Sequence, residues 1–314
     1  MPRGLVPGVL SLLISAALPV TARVPGDAPP AGPGLAAAYP RDAGIERDPR
    51  VVFADDFEGY ASAEDLDRRW SDRYHNVAIT STPANVFAGA QAVEMVAPKQ
   101  TTELSNGIAK VLTHELDTLY LRYYSKFEAS FDITGSSHNG GGISGHYFDH
   151  GRATPGVPAD GTNKFLIEFE NWRGEETTRS PGEQNVYIYH PGQRSNYGDH
   201  CFPDGRVLPN TSLAGDFGRD FVPRPNVTPE LGRWYCFEVM LHANTPGLRD
   251  GRVTGWIDGV VVADFPNLRL RDVASLGIDR FGLSLHSRSN PSGDTRKWYD
   301  NVVAATAYIG PIAR

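Results

Sequence analysis

The run FGLSLHSR, residues 281–288, alternates so that Gly282, Ser284, His286 and Arg288 share one strand face and Phe281, Leu283 and Leu285 the other. An imidazole ionises near neutral pH, so His286 has the chemistry to take or give a proton. A guanidinium beside it, at Arg288, would lower its pKa and favour the neutral base. A second histidine, His190, follows Tyr187 and Tyr189 at the end of VYIYHPGQR. A third run, KFLIEFENW, offers different chemistry, because Glu168 and Glu170 fall on one face. Residues two apart on a strand are about 6.5–7 Å apart at Cα, and retaining glycoside hydrolysis uses carboxyl groups roughly 5 Å apart. Tyr187, Tyr189, Trp172 and Trp256 have rings that could stack on the apolar faces of sugars.

The elements that must position these groups read as strands. LYLRYYSKFEASF, KFLIEFENW, NVYIYHPG, RWYCFEVMLHAN and GRVTGWIDGVVVADF are rich in β-branched and aromatic residues, with Gly, Pro and Asn clusters between them. Asp258-Gly259, between two apolar runs, is a hairpin turn signal. Only SAEDLDRRWSDRY, residues 62–74, has the look of a short amphipathic helix, capped by Ser62. Many strands and one short helix predict an all-β sandwich or barrel. Two stretches, 135–163 and 191–229, read as long loops that could wall a binding site.

The net charge is −7, with both signs interspersed and no basic run, which argues against nucleic acid as a partner. The first 22 residues have a basic start, a short apolar run and small residues before position 23, the pattern of a cleaved signal peptide. Residues 23–48 are rich in Pro, Ala and Gly and read as a flexible lead-in to one domain over 49–314. The protein is expected to be secreted or periplasmic, with no membrane contact once the signal is removed. Cys201 and Cys236 could pair in such a compartment or remain buried thiols.

The ordered set ADDFEGY, RWYCFEVMLHAN, GRVTGWIDGVVV, FGLSLHSR and KWYDNVVAATAYIGP resembles the concanavalin A-like jelly-roll polysaccharide lyases. It is most similar to the glucuronan-lyase-like group and more distantly similar to alginate lyases. The resemblance covers the first strand and Trp234 onward well, and the middle poorly. It implies a β-sandwich of two antiparallel sheets. It also implies a structural calcium, with Glu58, the Ala88 carbonyl, Gln91 and Asp300 on the ligand positions; such oxygens suit that ion. Where those lyases present a tyrosine for proton transfer, this chain has His286. Arg122 falls where the relatives also have arginine.

The implied activity is β-elimination on an acidic, uronate-containing polysaccharide. Its catalytic candidates are His286, His190, Tyr189 and Arg122. Glu168, Glu170, Asn171, Tyr187, Trp256, Arg288 and His146 are the candidates for holding substrate. His138, His150 and His200 read as exposed or structural loop histidines. A monomer is expected. Two other readings stay open: a lectin-like module that binds glycan without cleaving it, and a retaining hydrolase using Glu168 and Glu170.

Overall fold

A computed structural model describes Met1 and residues 28–135, 137–174, 178–209, 215 and 217–313; the expected signal peptide lies outside these apart from Met1. Two antiparallel sheets face each other. The outer sheet has eight strands, ordered Val260–Leu268, Gly251–Ile257, Trp234–His242, Thr118–Phe127, Thr295–Ala305, Ala92–Ala97 and Val77–Thr80, with Val51–Asp55 pairing the far half of Thr295–Ala305. The groove sheet has nine. Its path runs Val207–Leu208, Asp199–Cys201, Glu183–Tyr189, Phe165–Trp172, Gly141–Gly145, Ile278–Ser287, Leu104–Leu116 and Asp72–Tyr74, and Ser137–His138 also pairs Ile278–Ser287. This is the expected all-β sandwich.

The alternation seen in the sequence sorts the two faces. Phe165, Ile167 and Phe169 meet Leu121, Tyr123 and Phe237 between the sheets, and Phe281, Leu283 and Leu285 lie in the same core. Burying such side chains contributes about 1.5–3 kcal/mol each, so the face of each strand is firmly set. The residues between them therefore face outward into the groove. Asp258 and Gly259 both have positive φ and close the expected hairpin between Ile257 and Val260.

Four expectations change. The stretch 191–229, expected as a loop, holds the paired strands Asp199–Cys201 and Val207–Leu208 at the edge of the groove sheet. The stretch 62–74 is a short 3₁₀ turn, Ala63–Arg68, with a Ser62–Asp65 capping box. It stops there because Asp72–Tyr74 pairs along Leu104–Leu116 instead, and sheet hydrogen bonds outweigh a weak helical preference. The stretch 135–163 is no plain loop, since Gly141–Gly145 is a central strand. Its glycines hid it: a Cβ on Gly142 would sit 2.6 Å from Glu168 Oε1. Residues 28–48 are not a loose lead-in where they are described. They form short 3₁₀ turns that bury Leu35 and Ile45 against Trp256, Met240 and Tyr120 on the outer sheet. These two apolar side chains among prolines and glycines suffice, because a ready apolar surface receives them. Cys201 and Cys236 are both buried and unbonded.

Candidate active site

The groove face is built by register. Tyr187, Glu168, Gly142, Gly282 and Ala109 form one row across five strands. His138, His286 and Ser105 form another. Glycine, serine and alanine at the middle of these rows leave a cavity of about 390 Å³, lined by His138, His286, Ser105, Glu168, Tyr74 and Arg280 among others.

Two histidines stack in this cavity, with ring centroids 5.3 Å apart. Their environments differ. His286 Nδ1 lies 2.7 Å from Ser105 Oγ. Burial, and after it the charge of His138, push its pKa down to about 4, so it is neutral near pH 7. His138 Nδ1 lies 2.7 Å from Glu170 Oε2. Burial opposes its charge, but the Glu170 carboxylate and their hydrogen bond outweigh that and raise its pKa. Burial likewise acts to raise Glu170, and is overcome by His138 and His200, so its carboxyl stays below the usual range. The pair is an imidazolium held by a carboxylate.

Glu170 sits inside a ladder of rings. Trp172 stacks on His200 at 4.7 Å, His200 meets Tyr187 at 4.8 Å, and Tyr187 meets His138 at 4.7 Å. His200 Nδ1 is 3.0 Å from Asn185 Oδ1 and 3.4 Å from Glu170 Oε1. Glu168 differs from its neighbour. Its Oε2 is buried with no hydrogen-bond partner among the described residues. Burial pushes its pKa up to about 8, with His138, Glu170 and Lys297 the charges that act on it. Arg280, at the other end of the cavity, donates to Asp72 Oδ2 at 2.6 Å and to the Tyr74 hydroxyl at 2.8 Å, and covers the Phe148 ring at 4.1 Å.

The structure thus brings His286, Glu168, Glu170 and Tyr187 to one face, and places other expected residues elsewhere. Arg122 is on the outer sheet, wholly buried and paired with Asp42 of the N-terminal segment. Trp256 is beneath that segment too, donating from Nε1 to the Pro30 carbonyl at 3.1 Å. Alternation defines two faces for an outer-sheet strand but not which of them is open. His190 shares a small cavity with Ile188 and Cys201 and pairs with Asp199 at 3.0 Å, because one residue past Tyr189 reverses the side-chain direction. Asn171 is buried, its Nδ2 donating to the Gly182 carbonyl at 3.3 Å, for the same reason. Tyr189 is fully buried against Tyr147, whose ring lines the cavity in its place. His146 turns away at positive φ to bond Glu115 at 2.6 Å. Arg288 lies beyond the strand end at Ser287 and is exposed.

The structure adds His138 and His200, expected as exposed or structural loop histidines, and with them Ser105, Tyr74 and Arg280, which no sequence motif marks. Arg280 was within reach, since alternation counted backward from His286 lands on it. His138 was not, because its strand is two residues long.

Among the expected calcium ligands, Asp300 accepts the Phe87 and Ala88 amides at 2.8 and 3.2 Å, and Glu58 accepts those of Ala90 and Gln91 at 2.8 and 3.0 Å. Gln91 Oε1 accepts the Gly59 amide at 3.1 Å. Asp300 is buried without an ion-pair partner among the described residues, and burial, with the charge of Glu58 adding, pushes its pKa up to about 7. Two carboxylates meeting on one turn, one of them buried and uncompensated, fit a hard cation.

No protein-family model matches the chain, and no curated protein does. Solved structures do match in shape. Alginate lyase Aly36B superposes with a TM-score of 0.55 at 18% identity, over 81% of this chain and 96% of its own. Alginate lyase vAL-1 from Chlorella virus gives 0.57 at 13% identity, over 82% and 99%. The marine PL-14 alginate lyase from Aplysia kurodai gives 0.53 at 16%, also over 82% and 99%. These matches show the fold, a jelly-roll β-sandwich. The stacked histidines lie on the groove sheet, and the segment 28–48 packs on the outer sheet.

Proposed function

We propose that the chain is a secreted polysaccharide lyase that cleaves a uronate-containing polymer by β-elimination, with His286 as base and His138 as acid. The observation that carries this reading is the stacked pair, 5.3 Å apart in the cavity and biased in opposite directions. Groups of one type whose environments separate their proton affinities are suited to opposite roles. For Nε2 of His286 to accept a proton, Nδ1 must carry the hydrogen and donate it to Ser105 Oγ, 2.7 Å away. His138 keeps its proton through Glu170 and can release it from Nε2. The C5–H bond breaks toward His286, its electrons form the C4–C5 double bond, and the C4–O bond breaks as His138 protonates the leaving oxygen. Proton exchange with solvent restores both rings. Each transfer contributes about 10²–10⁴-fold.

The lyases that share this fold act on alginate, itself a polyuronate, and one was solved with an alginate trisaccharide, which supports the substrate class. The hydrolase reading is weaker, because Glu170 is 1% exposed under His138 and His200 and offers no open oxygen to a sugar. A calcium ion would be held by Asp300, Glu58, Gln91 and the Ala88 carbonyl, where it would compensate the buried charge and tie the turn 87–91 to the last strand. Incubation with a panel of polyuronates tests the activity. Absorbance from the unsaturated product is expected; new reducing ends without it would favour hydrolysis, and binding without either would favour a lectin.

A further inference from the structure

Elimination from a uronate has a third requirement. The sugar carboxylate must be neutralised, or the C5 proton is too weakly acidic to remove. Neither Arg280 nor Lys297 meets it, and Arg152, another cation lining the cavity, is exposed on the hairpin of Phe148–Asp149 with Arg152–Ala153, at the end where Arg280 covers Phe148. Arg280 is already paired with Asp72 and stands six residues from His286 on one strand, on the order of 20 Å along the chain. After burial, the charges that shift the His286 pKa are those of His138 and Glu170. Lys297 lies beneath the sheet, fully enclosed, and donates to the Asn139 carbonyl.

Glu168 is placed to do this work. It is two residues from Glu170 on the same strand face, so it lies one side-chain row from the His138–Glu170 pair. It lines the cavity, where its Oε1 lies beside Gly142, and its Oε2 is buried without a hydrogen-bond partner among the described residues. Gly142 lies directly across from it and leaves no side chain between the carboxyl and the groove. We propose that Glu168, as a neutral carboxylic acid, donates its hydrogen to the carboxylate of the uronate being cleaved, and so selects acidic sugars by sharing a proton rather than by pairing with a cation. This rests on the lyase reading.

The surroundings keep Glu168 neutral. Glu170 on its own strand disfavours a second negative charge. Tyr187 and His138 flank it from neighbouring strands, and Lys297, Tyr123 and Tyr299 lie below from the facing sheet. Tyr147 closes one side of the cavity and His286 the other. Of these, His138 and Lys297 pull its pKa down, and burial with Glu170 holds it near 8. Below that pH the acid is protonated and a uronate is accommodated. Above it, two carboxylates would face each other in a poorly hydrated site.

The test is binding of saturated oligoglucuronate and oligomannuronate to the full chain carrying His286→Ala, with cellotetraose as the neutral control. Affinity for the uronates is expected to be level to about pH 7.5 and to fall about tenfold per pH unit above 8, the slope for one required proton. His138 also loses charge there, so the decisive comparison is His286→Ala with Glu168→Gln, whose amide donates at every pH. That double variant should retain affinity at pH 9, within a few-fold of its value at pH 7. An infrared carbonyl band of a protonated carboxyl that shifts on uronate binding reports the same proton without substituting Glu168. Uronate binding with an unchanged alkaline loss in the double variant, or no shifted band, would overturn the proposal and leave the lyase reading standing. Binding of cellotetraose with none of either uronate would overturn both.

Discussion

The outer sheet and the groove sheet each bury ionisable side chains, and the two sites have opposite fates. On the outer sheet, Arg122 pairs with Asp42, Glu238 accepts the Ile309 and Gly310 amides at 2.8 Å each, and Trp256 donates to Pro30. Their partners come from the two ends of the chain, which lie on that face as a cover. In the groove, His138, His286 and Glu168 line an open cavity. Burial and a shifted pKa therefore mark both places; Glu238 is pushed up to about 7 by burial much as Glu168 is pushed up to about 8. Among the described residues, unpartnered polar atoms mark both as well, Glu168 Oε2 in one and Asp42 Oδ1 with Arg122 Nε and Nη1 in the other. What separates a reactive site from a sealed one is the open cavity through which something else can reach its residues.

The largest effect should come from the sealed site. Arg122→Met leaves Asp42 buried without its cation, which typically costs about 3–5 kcal/mol. Chemical denaturation should show that loss, while turnover per folded molecule stays as in the parent. A fall in turnover beyond the loss of folded protein would mean the outer sheet communicates with the groove. His286→Ala should do the reverse. Turnover on the true substrate falls about 10²-fold or more, and the melting temperature stays within a few degrees. Activity surviving within a few-fold would leave His286 as a binding residue and move the base elsewhere.

The pH profile sharpens the contrast further. His286 is ready as a base above about 4, so the acid limb of kcat/KM should rise there. The alkaline limb should follow the protons of His138 and Glu168, the latter lost near 8. Glu170→Gln removes the charge that raises the His138 pKa, so the alkaline limb should move to lower pH, by about 1–3 units for an adjacent charge. A limb that stays in place would separate His138 from the acid role.

Much of the sandwich was legible, and the reason is periodicity. Phe165, Ile167 and Phe169 or Phe281, Leu283 and Leu285 have only one satisfactory face to bury, and Asp258-Gly259 only one good turn to make. The same rule put Glu168 and His286 in the groove. It failed where strands lose their pattern. Gly141–Gly145 is small because Glu168 and its neighbours occupy the space of its side chains, a constraint set by residues far away in sequence. His138 became visible only with that strand. Arg122 and Trp256 failed differently: their alternation was clear, but what covers an outward face is decided by a segment with almost no pattern of its own.

The smallest effect concerns the turn between the first and last strands. Val51–Asp55 pairs with the end of Thr295–Ala305, so Glu58 and Asp300 reach the turn 87–91 from neighbouring strands that are remote in sequence. A cation there would bind only the folded chain, since the unfolded one separates the two carboxylates. Metal at ten times its dissociation constant would then add about 1.4 kcal/mol, or about 3–6 °C for a domain of this size. Chelator should lower the melting temperature by that amount and leave groove chemistry untouched, because these residues do not line the cavity. Asp300→Ala should melt lower than the parent and show no further response to chelator. A parent melt that is the same with and without chelator would mean that the amides of Phe87, Ala88, Ala90 and Gln91 hold this turn without a metal ion.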